Sequence, residues 1–287
     1  MHPYLVQHLF GIEWLNIATY GTCIAVGLVL CFIVLEFYGR YIGIKKKMND
    51  FMFYDGVFST IAGFGCAFLF QNLYNYIDDP EHFTWQNTVT FIGGLLGGVA
   101  IFLVIYLIAK KRLPQRMCDV APVIPCCITI THAFGRIGCF FAGCCYGKPT
   151  DSFLGVQFPH LHEKVHPTQL YESAFLFILF AVLSFMLLKK LSKHTISVYL
   201  ISYGIFRFAI EFLRDDYRGE FVAGLTPSQF WSIVMVVLGI VLIPLMIRWK
   251  VDLKKSREER LAEKAAAGTA GEPAEGADGQ ESKENEE

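Results

Sequence analysis

Seven runs of about 20 predominantly apolar residues alternate with short stretches that hold most of the charge; they lie at 17–38, 51–71, 88–108, 118–135, 168–188, 196–213 and 228–247. A run of that length spans the hydrocarbon core of a bilayer. A buried helix of a soluble domain would be shorter and would carry a polar face. Asp55, Asp119 and Arg207 interrupt three of the runs, which makes those the least apolar of the set. The pattern predicts an all-α, polytopic membrane helix bundle of about seven transmembrane helices. Composition agrees: 54% of the residues are hydrophobic and 18% are charged, against about 25% charged in an average soluble domain.

The charges are also unevenly placed. Lys and Arg stay on the cytoplasmic side of a membrane, and the loops after the first, third and fifth runs together with residues 248–260 after the seventh hold 17 of them, whereas the opposite set holds 5. The expected orientation is N-terminus outside and C-terminus in the cytoplasm, which requires an odd number of spans. Residues 1–16 carry no basic residue and include Glu13, so no cleavable leader is expected and the first helix directs insertion. The expected division is a membrane domain over 1–250 and a charged, disordered cytoplasmic tail over 251–287. That tail holds eleven acidic and six basic residues and no aromatic one, too little apolar surface to offset its chain entropy. A net charge of −1 argues against nucleic acid as a partner, and the chain shows no nucleotide-binding loop.

Topology then assigns each polar residue a depth. His132 and Arg136 fall at the outer end of the fourth helix, where Arg136 opens a Gly-rich break (GRIGCFFAGCCYG, 135–147), and His166, Thr168, Gln169, Tyr171 and Glu172 fall at the outer start of the fifth. Arg207, Glu211 and Arg214 belong to the last turns of the sixth, and Tyr20 and Thr22 to the start of the first. Ionisable groups at such depth are costly and mark a site by default. Arg207 and Glu211, four residues apart, share a helix face and can pair, as a structural ion pair or as part of a site. Arg214, Asp215 and Asp216 also fit charges at headgroup level. Two or three arginines facing lipid headgroups suit a phosphate, because the guanidinium fork matches two phosphate oxygens. Gly93, Gly94, Gly97 and Gly98 fit close helix packing or the approach of a lipid to bare backbone.

The stretches DVAPVIPCCITITHAFGRIGCFFAGCCYG (119–147), HPTQLYES (166–173), YGIFRFAIEFLRDD (203–216) and LTPSQF (225–230) resemble, in that order, the prolipoprotein diacylglyceryl transferase family. TYGTCIAVGL (19–28) and TFIGGLLGG (90–98) resemble its first and third helix motifs. The resemblance covers about residues 15–247. It implies a transferase of the bacterial cytoplasmic membrane, multi-pass and without a cofactor, acting in lipoprotein biosynthesis. Its donor would be phosphatidylglycerol, and its acceptor the lipobox cysteine of prolipoprotein signal peptides. The products would be a thioether-linked diacylglyceryl protein and glycerol phosphate. By position, Arg136 and Arg207 would take the phosphate and Glu211 would orient Arg207 or assist proton transfer. Tyr20, Gln169, Tyr171 and Glu172, with the glycines Gly93, Gly94 and Gly138, would line the lipid pocket.

The chain departs from the family pattern in two places. Ile92 stands where many members have His or Tyr, so His132 or His166 is expected to serve as base. After the GRxG element the family has Asn and then Asn-Gly-Glu, whereas here Cys139, Ala142, Gly143 and Cys144 occupy those positions, followed by Cys145. These thiols read as a redox or thiol site: a disulfide, a covalent lipid carrier or simple packing. A metal is not expected, because C-x4-C-C is not a recognised zinc spacing. The substitutions also leave open a second class, a non-catalytic or altered-acceptor protein that handles lipid or thiol on the same scaffold. The last expected helix has no Lys for a retinal Schiff base.

Overall fold

The computed structural model describes residues 4–6, 17–80, 83–85, 90–214, 225–249 and 252–269. The expectations that rest on Glu13, Asp215 and Asp216 lie outside these residues. Nearly every expected apolar run becomes one helix: α1 Thr19–Ile42, α2 Lys46–Asp78 and α3 Phe91–Ala109. A short α4 (Met117–Val120) precedes α5 Ile124–Ala142, followed by α6 Thr168–Leu188, α7 Thr195–Glu211 and α8 Pro227–Arg248. Among the described residues, α1, α2, α3, α5, α6 and α8 are long and apolar enough to cross a membrane. The remaining expected span is α7, the shortest at 17 residues and the one that carries Arg207 and Glu211. The molecule is an all-α polytopic membrane bundle.

The fourth run differs from its expected bounds. The chain makes one turn at α4, breaks at Pro122, and restarts with Pro125 in the first turn of α5, where a missing N–H costs nothing. The helix then runs on through the glycines Gly135 and Gly138 and ends where Gly143 takes the left-handed conformation, φ 71°. Arg136 therefore lies in the body of α5, a turn and a half before its end, instead of opening a loop.

The core lies between α1, α5, α6 and α7, where Val34, Leu35, Cys126, Ile130, Ala133, Leu176, Leu179 and Tyr199 are buried together. Helices α2 and α3 pack on each other through small residues: a Cβ on Gly94 would stand 3.1 Å from that of Ala67, and one on Gly98 3.2 Å from the Ser59 carbonyl. Their other faces present Phe58, Ile61, Leu96, Val104 and Ile108 outward, apolar surface that a bilayer covers. Helices α1 and α5 approach through Gly27, where an added Cβ would meet Thr131 and Phe134 at 3.1 Å, and through Gly138, where it would meet Tyr20 at 3.0 Å. Gly27→Ile is expected to cost about 1–3 kcal/mol by overpacking, seen as a lowered melting temperature in detergent; an unchanged melt would show that the crossing yields freely.

The loop from Gly143 to Pro167 crosses the ends of α5, α6 and α7. Its strands β3 (Val156–Gln157) and β4 (Lys164–Val165) form a small antiparallel ribbon. The Lys148 N–H donates to the Leu213 carbonyl at 2.8 Å, and that of Gly147 to the His166 carbonyl at 2.8 Å. A second ribbon pairs β1 (Tyr4–Val6) with β2 (Ile17–Ala18). The charged C-terminal segment also differs from expectation, since its first part forms helix α9, Leu253–Thr269. Lys, Glu and Ala favour helix intrinsically, Leu253 is buried, and Arg257 lies over the Tyr41 ring at 4.3 Å. Residues 270–287 lie outside the described residues.

Candidate functional site

Two buried carboxylates organise the polar residues. Glu172, in the second turn of α6, is 1% exposed. Its Oε2 is 3.0 Å from Arg136 Nε, and its Oε1 accepts from the Tyr203 hydroxyl at 2.8 Å and lies 3.5 Å from His132 Nε2. These partners come from three helices: α5 supplies His132 and Arg136 one turn apart on one face, α6 supplies Glu172, and α7 supplies Tyr203. The Arg136 contact has the distance of an ion pair without the alignment of a hydrogen bond. The His132 ring also stands edge-on to that of Tyr203, with centroids 5.3 Å apart.

The second carboxylate is Glu211. Its Oε2 is 2.8 Å from Arg207 Nη1 and 4.0 Å from Arg214 Nε, and its Oε1 accepts from Thr226 Oγ1 at 3.0 Å. Arg207 Nη2 donates to Ser228 Oγ at 2.8 Å. The sequence Thr-Pro-Ser-Gln explains this corner locally. Thr226 caps α8 by accepting from the Gln229 N–H, Gln229 returns the bond to the Thr226 N–H, and Pro227 occupies the first turn. The cap thereby places Thr226 on Glu211 and Ser228 on Arg207. Helix α7 joins the two centres, because Tyr203, Arg207 and Glu211 recur every four residues on one face.

The other expected site residues fall into place unevenly. Gln169 is almost fully buried at the head of α6 and donates to the Cys144 carbonyl, while Thr168 Oγ1 donates to that of Cys145 at 2.9 Å. Tyr20, 44% exposed, lies against Gly138 where α1 crosses α5. His166 is turned toward the Tyr171 hydroxyl, with Nδ1 at 3.3 Å, and no contact among the described residues joins it to Glu172. Gly93 and Gly94 face Phe70 and Ala67 of α2, which fits the packing reading of that pattern.

The sulfurs of Cys139, Cys144 and Cys145 lie within 4.8 Å of one another as free thiols. Cys139 stands one turn beyond Arg136 on α5. Hydrogen bonds from the two neighbouring thiols and the facing Arg214 guanidinium hold the Cys145 thiol well below its usual range, against burial.

Sequence reasoning passed over Tyr203, Thr226 and Ser228. Tyr203 sits four residues before Arg207, so the helical period was a usable signal. The two hydroxyls lie in the LTPSQF motif and in its cap pattern, but neither links them to Glu211 and Arg207, because only folding brings α8 against α7.

Fold and site together define a multi-pass membrane protein whose helices converge on two buried arginine–carboxylate pairs. The family model described as prolipoprotein diacylglyceryl transferase matches residues 7–245. A phosphatidylglycerol–prolipoprotein diacylglyceryl transferase of Clostridium tetani is 35% identical over 247 residues, covering 84% of this chain and 96% of its own length. Proteins of that description from Methylobacillus flagellatus (32% identical, 83% of this chain and 94% of the relative) and Clostridium perfringens, the latter named transferase 2 (31%, 89% and 97%), are similar as well. The chain belongs to the prolipoprotein diacylglyceryl transferase family.

Proposed function

We infer that the protein transfers the diacylglyceryl group of phosphatidylglycerol to the lipobox cysteine of prolipoproteins, at the outer face of the bacterial cytoplasmic membrane. Its relatives bear that activity in their names. The observation that carries the reading is the pair Arg136 and Arg207, each braced by a buried carboxylate within a membrane bundle. The excess of Lys and Arg on alternate loops supports the orientation, with the N-terminus outside.

The acceptor sulfur forms a bond to the glycerol carbon while the carbon–oxygen bond to phosphate breaks, and the electron pair leaves on the phosphate oxygen. The sulfur attacks as thiolate, so a base must take the thiol proton. His132, held between Glu172 and Tyr203, takes that role. Arg136 turns its Nε edge to Glu172, and none of its terminal N–H groups meets a protein acceptor among the described residues. Those groups face the phosphate and stabilise the charge that collects there as the diacylglyceryl group departs. Arg207 assists from the second centre, with Glu211 and Ser228 positioning its guanidinium.

Purified protein in phosphatidylglycerol vesicles, given a lipobox peptide, is expected to release glycerol phosphate and to add a diacylglyceryl mass to the peptide. Correctly folded protein that does neither would remove the reading. A Lys255→Ala control, on an exposed residue of α9, should match the unaltered protein.

A further inference from the structure

Lipid transfer as described makes no use of the three thiols at the end of α5. We propose that Cys139, Cys144 and Cys145 form a three-thiolate site for a thiophilic closed-shell divalent cation, zinc, with the fourth coordination position open toward solvent.

Each sulfur lies within 4.8 Å of both others. Zinc–sulfur bonds of about 2.3 Å place tetrahedral ligands about 3.8 Å apart, so side-chain adjustment of about 1 Å closes the ring. A disulfide would engage two of the three and leave the third idle, whereas a cation uses all of them. Thiolate donors select soft cations over calcium or magnesium.

The backbone also holds the three sulfurs together. Gly143 ends α5 in the left-handed region, and Cys145 follows in the same region with φ 64°, a conformation that is costly for a residue with a side chain. The two turns fold Cys144 and Cys145 back over Cys139, and the Cys144 N–H closes onto the Cys139 carbonyl at 3.2 Å. Gln169 and Thr168, each 1% exposed, hold the Cys144 and Cys145 carbonyls from the first turn of α6. Contacts of this kind aim ligands in metal sites. The spacing C-x4-C-C suits this helix end and reversing turn, although it is not the spacing of a zinc finger.

Charge supports the assignment. Three thiolates and a divalent ion sum to one negative charge, and the Arg214 guanidinium faces Cys145. The cation takes the sulfurs as thiolates, so binding releases to solvent the thiol protons they still carry. Cys144 is exposed, so the open position faces outward, where water completes the tetrahedron. His160 is not drawn in: its ring packs on Phe158 and Tyr146, 5.9 Å and 5.7 Å between centroids.

The test uses full-length protein in detergent, reduced and stripped of metal, and needs neither lipid nor peptide, so it stands or falls apart from the transfer assay. Incubated with zinc chloride and desalted, the protein should retain one equivalent by elemental analysis, and alkylation of Cys144 by iodoacetamide should slow at least tenfold. Cys144→Ser should weaken zinc retention at least tenfold, while Cys66→Ser retains it. Should Cys144→Ser misfold, cobalt(II) added to the unaltered protein decides: sulfur-to-cobalt charge-transfer bands of three-thiolate intensity are expected. No retained zinc, unslowed alkylation, cobalt bands without sulfur character, or zinc-free protein isolated with two of the three cysteines joined would each overturn the site.

Discussion

Arg136→Ala is expected to lower glycerol phosphate release by about 10²–10³-fold, the loss typical when one preorganised donor to a developing negative charge is removed. The Arg136 Nε lies 3.0 Å from Glu172, an ion pair that holds the guanidinium at that carboxylate. Its terminal nitrogens meet no acceptor among the described residues, which leaves a guanidinium fork that can meet two phosphate oxygens at once. A lysine would return the charge without the fork, so Arg136→Lys should recover only part of the rate. If the contact strengthens as charge builds on the departing phosphate, kcat and kcat/KM fall together; a change confined to KM would make Arg136 a ground-state anchor instead. The carboxylate left behind keeps His132 and the Tyr203 hydroxyl as partners, so the variant should still elute from a sizing column as the unaltered protein does. Rates within threefold of normal would show that the phosphate is held elsewhere.

How far the sequence carried these conclusions differs between the helices and the site. The membrane helices were legible because the bilayer imposes one requirement on all of them, a long apolar run, and that is a local property. Asp55 and Arg207 weakened two runs without misplacing them, whereas the run that holds Asp119 was displaced toward its C-terminal side, with Asp119 left in the separate turn α4. What failed locally was the extent of α5: the glycines at 135 and 138 read as a break, but α1 packs against that stretch at Gly138 and the helix continues. The first turns of the charged C-terminal segment became helical for a similar reason, since Leu253 and Arg257 find α1 and the loop after it to rest on.

The site was legible as residue types and only partly as a network. Arg207 and Glu211 could be paired from their spacing, because both lie on one helix. Glu172 was expected to line a pocket, yet the fold makes it the common partner of Arg136, His132 and Tyr203. No sequence period relates α5, α6 and α7, and a contact between helices depends on packing that the apolar runs do not encode. The cysteines behave likewise. Four residues stand between Cys139 and Cys144, a separation that becomes a contact only because the helix ends at Gly143 and the chain reverses.

That network makes Glu172→Ala the substitution with the largest expected cost in stability. Glu172 is 1% exposed and serves three groups from two other helices. Removing one member of a buried charge pair generally costs about 3–5 kcal/mol, because the remaining charge is left without compensation. Here the abandoned partners are the Arg136 guanidinium and the buried Tyr203 hydroxyl. Glu172→Gln keeps the shape and an acceptor for Tyr203 while removing the charge, so its cost should be clearly smaller, although Arg136 still loses its counter-charge. Thermal unfolding in detergent, followed by tryptophan fluorescence, measures both variants. The expected order is Ala below Gln below the unaltered protein. An Ala variant that melts with the unaltered protein would mean that Arg136 finds another anion, and the centre described here would then not be the element that ties α5, α6 and α7 together.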